Sequence, residues 1–258
     1  MTAAPAQMRD FPASGRPPRV LVVLHQEHST PGRVGKALTA RGFHLDVRRP
    51  RFGDSLPASL DEHAGAVVFG GPMSANDGDA FIRREIDWHA VPLKEEAPYL
   101  GICLGAQMLA RHLGARVYGH AEGLVEIGYY PIEPTEAGAA TFEWPRRVYQ
   151  WHREGFDLPE GAELLASGGG PFPNQAIRVG PSAYGLQFHP ELTLAMVYRW
   201  TTIGHERLKL PGAQPRPVHF ADRLLYDAAV REWLERFLDH WIGRADGVPA
   251  GVAPPPAD

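Results

Sequence analysis

The chain has 258 residues, 44% of them hydrophobic, and a formal net charge of -4 at neutral pH. That size and composition suit a soluble globular body with a full core, and the slight acidity gives no case for a nucleic-acid surface. One cysteine excludes an internal disulfide and a cysteine-rich zinc site, and it fits a reducing, cytoplasmic setting.

Residues 1–18 are rich in Pro, Ala and Ser and lack the apolar stretch of a secretory signal. Residues 245–258 have too few large apolar side chains to pack. Both are expected to be disordered tails around one ordered domain over residues 19–244. No apolar run approaches the ~20 residues of a membrane-spanning helix.

Residues 19–25, RVLVVLH, form a continuous aliphatic run that predicts a strand covered on both faces. A short helix over 35–41 and an alternating strand over 43–49 follow. Residues 65–72, GAVVFGGP, predict a third, buried strand running into a double glycine. The spacing of Phe81, Ile82, Ile86 and Leu93 predicts a single helix over 80–94. APYLGIC, 97–103, is the fourth strand, and the residues after it form its helix. Strand and helix in alternation mean a mostly parallel central sheet with helices on both faces. The second half predicts strands over 128–132, 147–151, 162–166 and 175–179, with antiparallel pairing among them. Residues 182–192 begin as a strand and end in a polar turn; helices follow over 193–203 and 222–241. The last carries Leu224, Leu225, Ala228, Trp233, Leu234, Phe237, Leu238 and Trp241 and is expected to pack on the sheet.

Cys103 falls at the carboxyl end of the fourth strand, where ligands bind in parallel α/β sheets. Gly101 and Gly105 flank it and allow a sharp strand-to-helix turn, as in a nucleophile elbow. The start of the next helix offers partial positive charge to a thiolate. Alternatively, the cysteine is simply a small buried hydrophobe. A cysteine nucleophile needs a base, and the base an orienting acceptor. His189 and Glu191, joined through Pro190 after the strand-like YGLQF, suit those roles. Alone, the same three residues read first as a polar turn capping the helix from Thr193.

Together, Gly70–Gly71–Pro72, the stretch Gly101 to Gln107 and the stretch Gly185 to Glu191 resemble the triad-type, class I glutamine amidotransferases in order and spacing. The glutaminase domain of GMP synthase and its free-standing relatives are the nearest resemblance. It implies a flavodoxin-like α/β fold with a Cys103–His189–Glu191 triad and no cofactor. By the same resemblance, the backbone N–H groups of Gly71 and Leu104 hold the oxyanion, and Gln107 and the loop at Met73 bind substrate. Trp151, His152 and Arg153 fall where relatives grip the amino-acid end of glutamine. Here Arg153 replaces a glycine and Trp151 a smaller residue, and Trp151 reads equally as a core aromatic.

The resemblance implies glutamine hydrolysis through a γ-glutamyl thioester, releasing glutamate and ammonia. Too little chain follows Leu192 for a synthetase domain, and there is no phosphate-binding Gly-x-x-x-x-Gly-Lys-Ser/Thr loop. Hence a ligase or synthetase partner subunit accepts the ammonia, or the protein acts alone as a γ-glutamyl peptide hydrolase, as plant γ-glutamyl peptidases do. A cysteine peptidase or redox sensor of related fold and a non-catalytic scaffold are the remaining readings, and a homodimer is left open. His25, His28, His112 and His120 show no metal-ligand spacing and are expected to face solvent.

Overall fold

The computed structural model describes residues 17–244. Apart from Pro17 and Pro18, the two expected tails lie outside the described residues. Along the chain come β1 (Arg19–Val23), α1 (Gly32–Ala40), β2 (His44–Arg48), β3 (His63–Val68), α2 (Ala80–Trp88), α3 (Ala90–Lys94), β4 (Tyr99–Ile102) and α4 (Leu104–His112). The second half adds β5 (Val117–Gly119), β6 (Glu126–Pro134), α5 (Glu136–Thr141), β7 (Arg147–His152), β8 (Glu154–Phe156), β9 (Ala162–Gly168) and β10 (Asn174–Val179). β11 (Ala183–Leu186), α6 (Leu194–Ile203) and α7 (Arg216–Trp241) complete it.

Nine strands form one sheet in the order β2-β1-β3-β4-β11-β10-β9-β6-β7. From β2 to β11 every pairing is parallel, and from β11 to β7 every pairing is antiparallel. The parallel part has the flavodoxin-like order, with β11 in the fifth place. β5 and β8 form a separate antiparallel ribbon.

Helices cover both faces. Val20, Val22, Val67, Leu100 and Ile102 face α1 and α7, where Leu38, Trp233 and Phe237 meet them. Leu21, Val23, Ala66 and Tyr99 face the other layer, with Trp88 and Leu109. This period-two sorting, apolar on both sides, is why the strands read as unbroken aliphatic runs. Arg41, 1% exposed at the end of α1, pairs with Glu235 at 2.7 Å and Asp239 at 2.9 Å and ties α1 to α7.

Three differences from the sequence reading have local causes. The helix expected over 80–94 breaks at His89 into α2 and α3. Pro92 lacks an N–H and its ring crowds the carbonyl four residues back, at Trp88. His89 then turns inward, its Nδ1 2.6 Å from the Glu85 carbonyl oxygen and its Nε2 2.7 Å from the Tyr99 hydroxyl. Burial lowers its pKa to about 4. Helix α7 starts earlier than expected, at Arg216, with Pro217 in the first turn where no N–H is needed. Leu224 and Leu225 are 83% and 69% exposed, and apart from His219 the buried residues of α7 lie from Asp227 onward. The short elements β5, β8 and α5 carry no periodic signal and were not expected. No helix among the described residues is long and apolar enough to cross a membrane.

Candidate active site

Strands β3, β4 and β11 are parallel neighbours. Their carboxyl ends therefore bring Gly70–Gly71, Cys103 and His189 to one edge of the sheet. Cys103 joins β4 to α4 with φ 51° and ψ −104°. L-residues rarely adopt that conformation, which costs on the order of 1–3 kcal/mol and persists only where the surroundings fix it. Here the Cys103 N–H donates to Leu186 O at 2.7 Å, and its carbonyl accepts from Gln107 N at 3.0 Å. A side chain at position 105 could not fit, because its Cβ would lie 2.1 Å from the Val68 carbonyl oxygen. Gly105 thus lets α4 begin directly against β3.

His189 is 4% exposed and Glu191 3%. The Nδ1 of His189 donates to Glu191 Oε1 at 2.8 Å, and its backbone N–H donates to Tyr149 O at 2.9 Å. The second bond shows that the sheet curls far enough to return its edge strand β7 to the end of β11. A methyl group on Gly70 would lie 3.0 Å from His189 Cε1 and 3.4 Å from Cys103 Cβ, so imidazole and thiol share one small space. Among the described residues, His189 Nε2 is buried without a hydrogen bond. Burial of the ring lowers its basicity, but the charges of Glu191 and Cys103 outweigh burial and raise its pKa to about 10. Trp200 from α6 stands edge-on to the imidazole, 4.9 Å between ring centres.

The other expected site residues separate into two groups. Met73 and Leu104 share an apolar cluster beside the elbow. A Cβ on Gly71 would lie 3.1 Å from Leu104 Cδ2, so the Gly71 backbone packs against the Leu104 side chain. Gln107 Nε2 donates to Glu154 O at 2.7 Å and to Gln187 Oε1 at 3.2 Å. Across the site, His152 is buried, with Nδ1 donating to Glu154 O at 3.0 Å and Nε2 3.1 Å from both Gln150 Oε1 and Glu126 Oε2. Gln175 completes this network by donating to Glu126 Oε2 at 2.9 Å. Trp151 packs among Tyr149, Trp200 and His219. Arg153 is exposed.

The family profile of Glutamine amidotransferase class-I matches residues 27–196. The chain belongs to that family of enzymes. It is 34% identical over 206 residues to a glutamine amidotransferase-like protein, YfeJ, of Salmonella typhimurium, covering 76% of this chain and 84% of that protein. It is 32% identical over 148 residues to the GMP synthase [glutamine-hydrolyzing] of Porphyromonas gingivalis, covering 54% of this chain but only 27% of that one. The crystal structure of a glutamine amidotransferase from Thermotoga maritima superposes with a TM-score of 0.77 at 30% identity, covering 87% of this chain and 97% of that chain.

Three features of this class I amidotransferase were not legible from sequence. Trp200 reaches His189 from α6. Arg207, on a short turn of 3₁₀ helix over His205–Lys209, lies half-buried near Arg153 and Cys103. Burial and the Arg153 charge lower its pKa, and the Cys103 charge acts the other way. Neither arginine forms an ion pair among the described residues. Finally, His25, expected in solvent, is 0% exposed. It follows strand β1, beneath the Gly70–Gly71 loop, and its Nε2 lies 2.7 Å from Glu85 Oε2 on α2. Nothing near it in sequence signals that cover.

Proposed function

We propose that this protein hydrolyses the side-chain amide of glutamine, or of a related γ-glutamyl compound, with Cys103 as nucleophile. The reading is carried by one observation: a buried His189–Glu191 pair at 2.8 Å, whose free imidazole nitrogen shares its space with a cysteine on a strained elbow. Cys103 Sγ attacks the amide carbonyl carbon. The oxyanion is taken by the backbone N–H groups of Gly71 and Leu104. His189, its pKa raised to about 10 and so protonated at neutral pH, gives its proton to the departing ammonia as the C–N bond breaks. Water then attacks the γ-glutamyl thioester and His189 takes up its proton. Glutamate leaves, and the Cys103–His189 pair is restored. Glu191 holds the ring in place throughout.

Gln107 and the backbone at Met73 line the side-chain end of the substrate in this reading, and the Trp151–Arg153 segment its amino-acid end. A synthetase or ligase on a partner chain is the proposed consumer of the ammonia. A second reading has a specific observation behind it. Arg153 and Arg207 are cations without an acidic partner among the described residues, and they favour a substrate with a further carboxylate, such as a γ-glutamyl amino acid. Purified protein assayed against glutamine and a γ-glutamyl dipeptide panel tests both. Release of ammonia from glutamine supports the first, and preference for dipeptides the second. Turnover that persists in Cys103→Ala, with no adduct on Cys103 from a glutamine-like electrophile, would overturn both.

A further inference from the structure

His25 and Glu85 make a second buried histidine–carboxylate pair that takes no part in the proposed bond changes. Their side chains are 0% and 1% exposed. Burying such a pair is expensive, and two well-packed apolar side chains serve stability as well or better. Nor is the pair bonded to best advantage, because Glu85 Oε1 has no hydrogen bond among the described residues. Its one outward bond runs from His25 Nδ1 to the carbonyl oxygen of Gly70, at 3.2 Å. Both nitrogens of His25 face oxygens, Nδ1 the Gly70 carbonyl and Nε2 the Glu85 carboxylate.

The Gly70 carbonyl and the Gly71 N–H belong to one planar, trans peptide unit and point in opposite directions. Whatever holds the carbonyl therefore aims the N–H. The contact is direct, since a Cβ on Gly71 would lie 2.9 Å from His25 Cβ. On the other side, Gly70 borders Cys103 and His189. A glycine–glycine step is the easiest place in a chain for a peptide to rotate. We propose that His25, held by Glu85, is a positioning residue that locks the Gly70–Gly71 peptide with the Gly71 N–H turned toward the oxyanion. This rests on the amide-hydrolase reading above.

An oxyanion donor acts in the transition state and little in the ground state, and that sets the test. His25→Leu in the full chain is expected to lower kcat about 100- to 1,000-fold with KM changed less than about threefold. Alkylation of Cys103 by iodoacetamide proceeds at a saturated carbon and builds no oxyanion, so its rate should stay within about threefold. His25→Asn, which can return an amide N–H toward the Gly70 carbonyl, should recover at least about tenfold of the lost kcat. If His25→Leu fails to fold, Glu85→Gln carries the test, with an expected kcat loss of about tenfold at unchanged KM. A kcat within threefold of wild type in the variant that folds would overturn the proposal. So would a fall in iodoacetamide reactivity parallel to kcat, which would mean a damaged nucleophile. Wild-type protein inert on every amide removes the hydrolase reading and this one with it, whereas active wild type with equally active variants removes only this one.

Discussion

In the parallel part of the sheet, the proposed reacting groups are placed by backbone. Cys103 is held through its own N–H and carbonyl and His189 through its N–H, while the Gly70 carbonyl takes its bond from the His25 side chain. In the antiparallel part, Glu126, Gln150, His152 and Gln175 hold one another through their side chains. Main-chain bonds hold Cys103 and His189 without calling on neighbouring side chains. A side-chain network fixes a loop only while every member is present. Damage to the first part should therefore appear in turnover, and damage to the second in stability and binding.

The sharpest test is Cys103→Ala, expected to lower amide turnover at least about 10⁴-fold while the fold loses only a sulfur atom. His189→Asn should be nearly as inactive. Glu191→Gln should keep at least about tenfold more activity than His189→Asn, because Glu191 orients the base without transferring its proton. Steady-state kinetics on one substrate, with a thermal melt for each variant, would break the comparison if Cys103→Ala lost its fold instead of its activity.

In the antiparallel part, Glu126→Ala removes the acceptor shared by His152 and Gln175. The expected cost is roughly 3 kcal/mol of folding stability, read by urea unfolding, with KM raised in the folded fraction. A large fall in kcat without loss of stability would put Glu126 in the chemistry.

Two buried histidines give opposite pH signatures. His89 has its pKa lowered to about 4, so the native state favours the neutral ring. The resulting stabilisation is present above about 6.5 and lost as pH falls toward 4, at most about 3 kcal/mol. His189 has its pKa raised to about 10, so its contribution is present below about 6.5 and lost as pH rises through 10. Urea unfolding at pH 7 and 4.5 should show the first effect, reduced in His89→Gln. NMR titration of the His189 ring should show the second, with its pKa moved down in Cys103→Ala.

Arg153→Gly should have the smallest effect. KM for glutamine rises a few-fold and the turnover number stays within a few-fold, as loss of uniform binding requires. An unchanged KM would place Arg153 outside the site.

What could be read from sequence follows the same division. The elbow was legible because Gly101 and Gly105 bracket Cys103 at a strand end. His189 and Glu191 were legible because Pro190 joins them in a stiff turn, and the strands β1, β3 and β4 because both of their faces are apolar. The side-chain network was not, because its members lie on β6, β7 and β10, the last of which the sheet joins to the other two only through β9, and no local pattern encodes that register. His152 appeared as a residue of a binding loop, yet both its nitrogens are engaged inside the network. Arg207 and His25 were missed for a related reason: one depends on a short turn placed against Trp151, the other on a loop and a helix that close over it from far along the chain.

The place of β11 in the sheet has a consequence for how the molecule is made. It lies between β4 and β10, yet among the described residues it is the last strand to be synthesised. While the chain emerges from the ribosome, β1 to β4 can associate with Cys103 already at their edge, before the residues that carry His189 have been made. Only when residues 183–191 arrive does the central gap close and the thiol meet His189. Pairings between such distant segments form slowly. A nascent or truncated chain thus carries Cys103 without His189, and the proposed pair forms only once β11 is in place.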